Sequence, residues 1–489
     1  MRLKKLLLGL KHKRSANLTD YQIKGITCNS QQVQPGYLFV AIKGACVDGH
    51  RFLDQAVARG AAAVILENDL PLKNNVMKIV VPDSKAALAH AAAHFYAYPA
   101  KKLKVIGVTG TNGKTTVSYL LEKILNSAGF GCGLIGTVNY RLGKKIQPAL
   151  NTTPSAELLQ SWLQEFVSAK SKYAIIEVSS HALIQKRVGG IDFSQAIFTN
   201  LSREHLDYHK NLASYFSSKA ILFEKLKPQS WAIINRDDLF GRKLLKMTKA
   251  KTLTYAIEQT AQIQAKDLRL GNQGTSFKVV TATGTIPVET ALIGRHNVYN
   301  ILAAFGAAFV EKIEFGQIAQ GVRALKLVPG RLERVNCGQD FLTFIDYAHT
   351  EDALRKILQA VRKISNRRII LVFGCGGDRD KSKRPRMGKV ATKFSDFAVI
   401  TSDNPRSEDP QEITTDILRG VSNKTNNYKI VLDRFQAIAT GLSLARKDDI
   451  VLICGKGHER SQIFADRAVH FSDRQAVRKI LKCLPSQKY

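Results

Sequence analysis

One stretch limits the fold more than any other: Val105-Ile106-Gly107-Val108-Thr109-Gly110-Thr111-Asn112-Gly113-Lys114-Thr115-Thr116. It reads as a buried strand, a glycine turn and a helix start. Such a turn points backbone N–H groups and a helix N-terminus at a polyphosphate. Lys114 then reaches the outer phosphates, and the Thr115 hydroxyl is placed for magnesium. The general phosphate-loop pattern puts its first glycine six positions before the lysine, where this chain has Val108; Gly107, Gly110 and Gly113 do the turning instead. Val117, Leu120, Leu121 and Ile124 continue at helical spacing up to Gly129. The loop implies nucleoside triphosphate binding and leaves open what the energy is used for.

The chain around it alternates strand and helix, the pattern of a mostly parallel sheet. Strands are expected at 103–109, 173–179, 195–200 and 230–235, and antiparallel strands within 251–292. A helix is expected over Val298–Val310. Residues 1–98 form a separate small α/β unit, with strands at Tyr37–Ile42 and Ala61–Leu66 and helices at Phe52–Arg59 and Ala86–Tyr98. Pro99–Lys102 reads as a linker, and the chain changes domain near Leu327-Val328-Pro329-Gly330. Three domains follow: 1–98, 99–328 and 329–489. In the last, three apolar strands each discharge into a polar loop: Gly374–Arg379, Ser402–Arg406 and Cys454–Glu459. Ligands of open parallel sheets sit at such strand ends.

At 489 residues with 45% hydrophobic and 23% charged residues, the chain has ample core for several domains. No apolar run nears the roughly 20 residues that span a bilayer, and Met1–Arg14 resembles a signal peptide only faintly; a cytoplasmic protein is expected. The seven cysteines are scattered without a C-x-x-C pair, which argues for reduced thiols and against zinc. The net charge of +33 fits a polyanion partner or a lysine-rich surface. The basic residues are spread, with no basic arm or nucleic-acid motif, so the second reading is preferred.

Other segments carry chemistry. Glu177, at a strand end, is placed to hold the nucleotide's magnesium or to cap the next helix. Asn200–His209 is dense in histidine and carboxylate, and one histidine there suits a metal. Lys219 reads locally as a solvated helix lysine. Asn297 and Asn300, one turn apart, suit an adenine edge or a helix cap. Asp346-Tyr347-Ala348-His349 ends another apolar strand.

Taken together, in order, these segments resemble the Mur ligases of peptidoglycan precursor synthesis, over about Ile26 to Gln475. The matching stretches are Thr109–Thr115, Asn151–Pro154, Glu177–Leu183, Thr199–His209, Tyr215–Phe223, Asn297–Asn300, Pro329–Glu333, Asp346–His349, Gly374–Arg379, Asp403–Arg406 and Gly455–Glu459. The branch that adds the third amino acid is the most similar. The resemblance implies an α/β protein of three domains: a small N-terminal UDP-binding domain, a central P-loop ATPase domain with a mostly parallel sheet, and a C-terminal Rossmann-like domain for the amino acid. It implies an acyl phosphate, formed from a substrate carboxylate and ATP, that an amine then attacks. It implies roles: Gly110, Thr111, Asn112, Gly113, Lys114, Thr115 and Thr116 cradle ATP, and Asn297, Arg331, Asp346 and His349 meet its adenine, ribose and phosphates. Thr115 and Glu177 hold a first magnesium and His205 a second. Lys219 matches a lysine that carbon dioxide carbamylates into a metal ligand. Lys114, Glu177, His205 and Lys219 are thus the catalytic set. Ser30, Thr152, Thr153, Ser179, Gln185 and Arg187 match contacts to UDP-N-acetylmuramoyl-L-alanyl-D-glutamate.

For the amino acid, Asp403-Asn404-Pro405-Arg406 resembles the loop of members that add meso-2,6-diaminopimelate, with Arg379, Gly455 and Glu459 nearby. A guanidinium suits the second carboxylate that lysine lacks. Asn29-Ser30-Gln31 departs from the usual Asp-Ser-Arg, Glu351 from a proline and His296 from a phenylalanine. A monomer without membrane or nucleic-acid partners is expected. The competing readings are a lysine-adding variant, a folylpolyglutamate synthetase and a basic nucleic-acid-binding ATPase.

Overall fold

The computed structural model describes residues 1–12, 19–44, 47–72, 76–364, 366–422 and 425–483. Cys46 lies outside them; the six described cysteines are all free thiols. Three large sheets follow one another along the chain, and a two-stranded one, Ser461–Ile463 with Ala468–His470, comes last among the described residues. The first has four parallel strands in the order Gly25–Thr27, Tyr37–Val40, Ala61–Leu66 and Met77–Val80. The helix Ser84–Phe95 packs on it, capped by Asp83, whose side chain accepts from the Ala86 N–H. It stops three residues before the expected Tyr98, because Ala97 and Tyr98 take left-handed φ values of 56° and 54°.

The second sheet has eleven strands. At its heart Lys104–Thr109 lies between Gln195–Phe198 and Tyr173–Glu177, parallel to both. Alternation along Lys104–Thr109 splits its side chains between two layers. Ile106 and Val108 pack with Val117, Leu120, Leu121 and Ile124 of the helix Lys114–Ser127. Val105 turns the other way, toward Leu159, Trp162 and Phe166 of the helix Ala156–Ser168. Full burial of each such side chain stabilises by about 1.5–3 kcal/mol. The segment 251–292 is antiparallel only in part. Lys251–Ala256 pairs parallel with Trp231–Asn235, and the antiparallel pairs are Ile263–Leu270 with Thr275–Thr281 and the latter with Gly284–Thr290. Thr252 to Ala256 are partly or fully buried, as in a covered parallel strand, and the alternating exposure expected of a half-solvated one begins only at Ile263. The next helix is Arg295–Val310; it starts three residues before the expected Val298, directly after Gly294, whose φ is 93°.

The third sheet has the order Glu333–Arg334, Leu342–Asp346, Ile450–Cys454, Ile369–Phe373, Phe397–Ile400 and Tyr428–Ile430. The last five run parallel. All three loops singled out in the sequence therefore leave one edge of one sheet, joined by Tyr347–His349 from the neighbouring strand. No helix among the described residues is long and apolar enough to cross a membrane.

Candidate active site

The phosphate loop is built by close approach. Gly110 (φ 142°) has no room for a Cβ because Thr199 Oγ1 occupies that space, and Gly113 (φ 92°) is closed off by Asn300 Oδ1. Thr111 N donates to the Asn200 carbonyl at 2.8 Å and Asn112 N to Asn200 Oδ1 at 3.1 Å, so the loop is pinned by the segment after the next parallel strand. Lys114 Nζ folds back onto the carbonyls of Gly110 and Thr111, both at 2.9 Å.

Glu177 is fully buried. Thr115 Oγ1 donates to its Oε2 at 3.0 Å, and Thr137 donates to the same oxygen at 2.7 Å and, from its backbone, to Oε1 at 3.1 Å. The capping alternative for Glu177 fails: the helix Ser180–Ile184 is capped by Ser179, which accepts from Ala182 N. A buried carboxylate ringed by hydroxyls at a phosphate loop is a set of hard oxygen donors, the chemistry magnesium prefers. Thr137 escaped the sequence reading, since a lone threonine after a strand carries no pattern.

Lys219 corrects its local reading. It is 1% exposed, and its Nζ donates to the Gly110 carbonyl at 2.9 Å. Burial, with the nearby charge of Lys114, pushes its ammonium well below the ordinary lysine range. Glu204 also escaped the residue choice, although it stood in the dense loop. Burial alone would raise its carboxyl, but His205, Lys114, His349 and Lys219 outweigh that and hold it at about 2. His205 and His349 approach its Oε1 at 3.8 and 3.7 Å. Among the described residues no three His, Cys, Asp or Glu side chains gather around one metal position.

The third sheet reaches this centre. Arg331 Nη2 lies 3.4 Å from Thr115 Oγ1, with its guanidinium 4.7 Å over the Tyr347 ring. Asp346 accepts from Leu332 N at 2.7 Å and Ala348 N at 2.8 Å, which fixes the turn that carries Arg331. Asn297 and Asn300 do not cap their helix. Asn297 Nδ2 donates to the Ile293 carbonyl and Asn300 Nδ2 to Asn297 Oδ1, at 2.9 and 3.0 Å. A cleft of about 480 Å³ runs along Thr111–Thr116, Glu204, Asn297, Arg331 and Asp346–His349.

The residues matched to the nucleotide-linked substrate fall in two places. Thr153, Ser179, Gln185 and Arg187 come together: Arg187 Nη1 donates to the Thr153 carbonyl at 2.8 Å and Nη2 to Gln185 Oε1 at 2.7 Å. Thr152 lies 3.1 Å from Thr137, hydroxyl to hydroxyl. Thr153 is fully buried, and its hydroxyl donates to the Glu177 carbonyl at 2.7 Å. Ser30 stands apart on the first sheet's unit, donating to Gln55 Oε1 at 2.7 Å, while Asn29 accepts from Gln31 N.

At the far sheet edge Arg406 has φ 54°, and its Nη1 donates to the Gly377 carbonyl at 2.6 Å. Arg379 is nearby on the loop Gly374–Arg379, its Nη1 on the Asp378 carbonyl. Asp403 Oδ2 is buried without a hydrogen-bond partner among the described residues, and a Cβ on Gly455 would collide with it. Pro405 O packs against Gly377, and Asn404 Nδ2 donates to Glu459 Oε2 at 2.8 Å. Beneath them Arg434 and Asp473, both fully buried, form a two-bond ion pair at 2.8 Å, and Arg434 also donates to the Cys454 carbonyl at 3.0 Å.

A phosphate loop on one sheet, reached by Arg331 from a second sheet with a polar edge, is the frame of a nucleotide-binding α/β protein. The chain belongs to the Mur ligase family. The family models described as the Mur ligase family catalytic domain, the Mur ligase middle domain and the Mur ligase glutamate ligase domain match residues 22–96, 108–308 and 330–457. A protein of Geobacillus thermodenitrificans named UDP-N-acetylmuramoyl-L-alanyl-D-glutamate--2,6-diaminopimelate ligase is 42% identical, over 94% of this chain and 95% of that one. One of Syntrophomonas wolfei with the same name is 41% identical over 99% of each. A solved structure of a ligase of that name is 34% identical, covers 95% of this chain and 97% of its own, and superposes with a TM-score of 0.66. The MurF ligase of Thermotoga maritima, solved with ADP, shares the fold at 19% identity and a TM-score of 0.64, over 95% of this chain and 98% of that one.

Proposed function

We propose that this chain is the ligase that adds meso-2,6-diaminopimelate to UDP-N-acetylmuramoyl-L-alanyl-D-glutamate at the expense of ATP. The observation that carries the reading is full-length identity of 41–42% to relatives bearing that name. A carboxylate is a poor acyl donor at neutral pH, and transfer of the γ-phosphoryl group gives it a leaving group. The D-glutamyl carboxylate oxygen bonds to phosphorus as the bond to ADP breaks. The amine of diaminopimelate then adds to the acyl carbon, and phosphate leaves as the amine loses a proton.

The residues fit this work. Lys114 and Arg331 bring positive charge to the phosphate loop, where both reactants are anionic. Thr115 and Glu177 would hold magnesium, with Asn297, Asp346 and His349 lining the nucleotide's cleft. When bound, that ion neutralises charge between the phosphates. His205 and a carbamylated Lys219 are the proposed holders of a second ion. Lys219 suits carbamylation because a buried amine pushed toward neutrality is the form that adds carbon dioxide. Thr152, Thr153, Ser179, Gln185, Arg187 and Ser30 are proposed for the nucleotide-linked substrate. Arg379, Asp403–Arg406, Gly455 and Glu459 are proposed for diaminopimelate. The reaction uses a nucleotide-linked precursor and ATP, which supports a cytoplasmic setting.

The test is phosphate release by the purified protein. Release is expected only when ATP, UDP-N-acetylmuramoyl-L-alanyl-D-glutamate and meso-diaminopimelate are all present. Release driven by DNA or RNA would overturn the reading, and equal turnover with L-lysine would overturn the choice of amino acid.

A further inference from the structure

Lys456 is fully buried between two glycines with left-handed φ, Gly455 at 116° and Gly457 at 55°. That backbone path turns the lysine inward, away from solvent. Its Nζ donates to Asn404 Oδ1 at 2.8 Å and to Glu459 Oε2 at 3.1 Å. Burying an ammonium costs several kcal/mol, and a buried ion pair seldom repays that as stability. The loop therefore carries a costly group beside the amino-acid edge.

The hydrogen-bond logic shows what the group fixes. An ammonium only donates, so Asn404 must present its oxygen to Lys456. Ile463 N, at 3.1 Å from the same oxygen, sets the same orientation. The Asn404 amide nitrogen is then aimed at Glu459, and it donates to Oε2 at 2.8 Å. Both donors thus converge on one carboxylate oxygen. Glu459 is left 30% exposed, with Oε1 outside this cluster.

Building on the proposed function, we infer that Lys456 is a positioning residue for amino-acid specificity. It clamps Asn404 and Glu459 so that Glu459 Oε1 faces the distal ammonium of diaminopimelate. Arg406 reads the distal carboxylate, and the Lys456 clamp lets Glu459 read the amine beside it.

The experiment compares two amino acids: meso-diaminopimelate and 2-aminopimelate, which keeps both carboxylates and the attacking amine but lacks the distal amine. Wild-type protein is expected to prefer diaminopimelate. In Lys456→Met the ratio of the two kcat/KM values is expected to fall about tenfold, through the KM for diaminopimelate, with kcat and the KM for ATP little changed. In Lys456→Gln, which keeps a donor for Asn404 but loses the charge, the fall is expected to be about threefold. This milder variant carries the test if Lys456→Met does not accumulate as folded protein. An unchanged ratio in a folded variant, or a wild type that uses both amino acids equally, overturns the inference. Wild-type protein that releases no phosphate with diaminopimelate overturns the underlying function instead.

Discussion

Arg406 holds a backbone conformation that non-glycine residues rarely adopt, and its N–H is tied to the Ile463 carbonyl at 3.0 Å. Such strain costs about 1–3 kcal/mol and persists where the surroundings impose it. Here the imposed feature is a guanidinium aimed across Gly376 and Gly377. For Arg406→Ala, kcat/KM for diaminopimelate is expected to drop about 10- to 100-fold, the worth of a charge-assisted pair, with the KM for ATP unmoved. Steady-state kinetics with each substrate varied in turn checks this; an equal loss for ATP would refute the assignment. In the sequence, Arg406 was pointed to by the resemblance of its loop to that of diaminopimelate-adding members. Lys219 was likewise reached only through the resemblance, and Glu204 and Lys456 were not reached at all. What marks them is a titratable side chain held in the interior, and that is decided by segments far away in the chain, such as Gly110 against Lys219.

The three polar loops of the third sheet were legible as a group, because runs such as Ile369–Phe373 are apolar on both faces and end abruptly. Which strand neighbours which was not legible, since parallel pairing leaves no local mark. Nor was the pairing of Arg384 with Glu408 and Asp416, which holds the loop Gly374–Arg379 to the helices behind it. Arg384 is fully buried, Glu408 takes both its terminal nitrogens at 2.9 Å, and Glu408 also accepts from Asp378 N at 2.6 Å. Hydrogen bonding from Arg384 holds the Glu408 carboxyl at about 2, against 4.5 for a free glutamate. The folded value is the lower one, so the pair's stabilisation is complete above pH 4.5. As pH falls from 4.5 toward 2 the unfolded chain takes up a proton that the folded chain refuses, and the stabilisation is lost. Thermal melts over that range should show a steeper fall for wild type than for Glu408→Gln; parallel curves would contradict this account.

Across the whole molecule, the phosphate loop and the polar loops of Gly374–Arg379, Ser402–Arg406 and Cys454–Glu459 belong to different sheets, and Arg331 reaches from the segment before the third sheet to Thr115. A ligand that binds only the folded protein raises its melting point by mass action, about 2.7 kcal/mol at a hundredfold excess over Kd. A non-hydrolysable ATP analogue should stabilise wild type by this route. In Arg331→Ala its affinity should fall about tenfold, trimming the gain by about 1.4 kcal/mol, while melting without nucleotide stays close to wild type. A full gain in the variant would exclude Arg331 from nucleotide contact. The order of the third sheet has a consequence for synthesis. Ile450–Cys454 is late in the chain yet sits between Leu342–Asp346 and Ile369–Phe373, with Arg434 fastened to its last carbonyl. While a ribosome is still making the protein, the earlier strands wait with an open seam, and the phosphate loop is finished long before the seam closes. The phosphate loop is thus assembled first and the polar edge of the third sheet last.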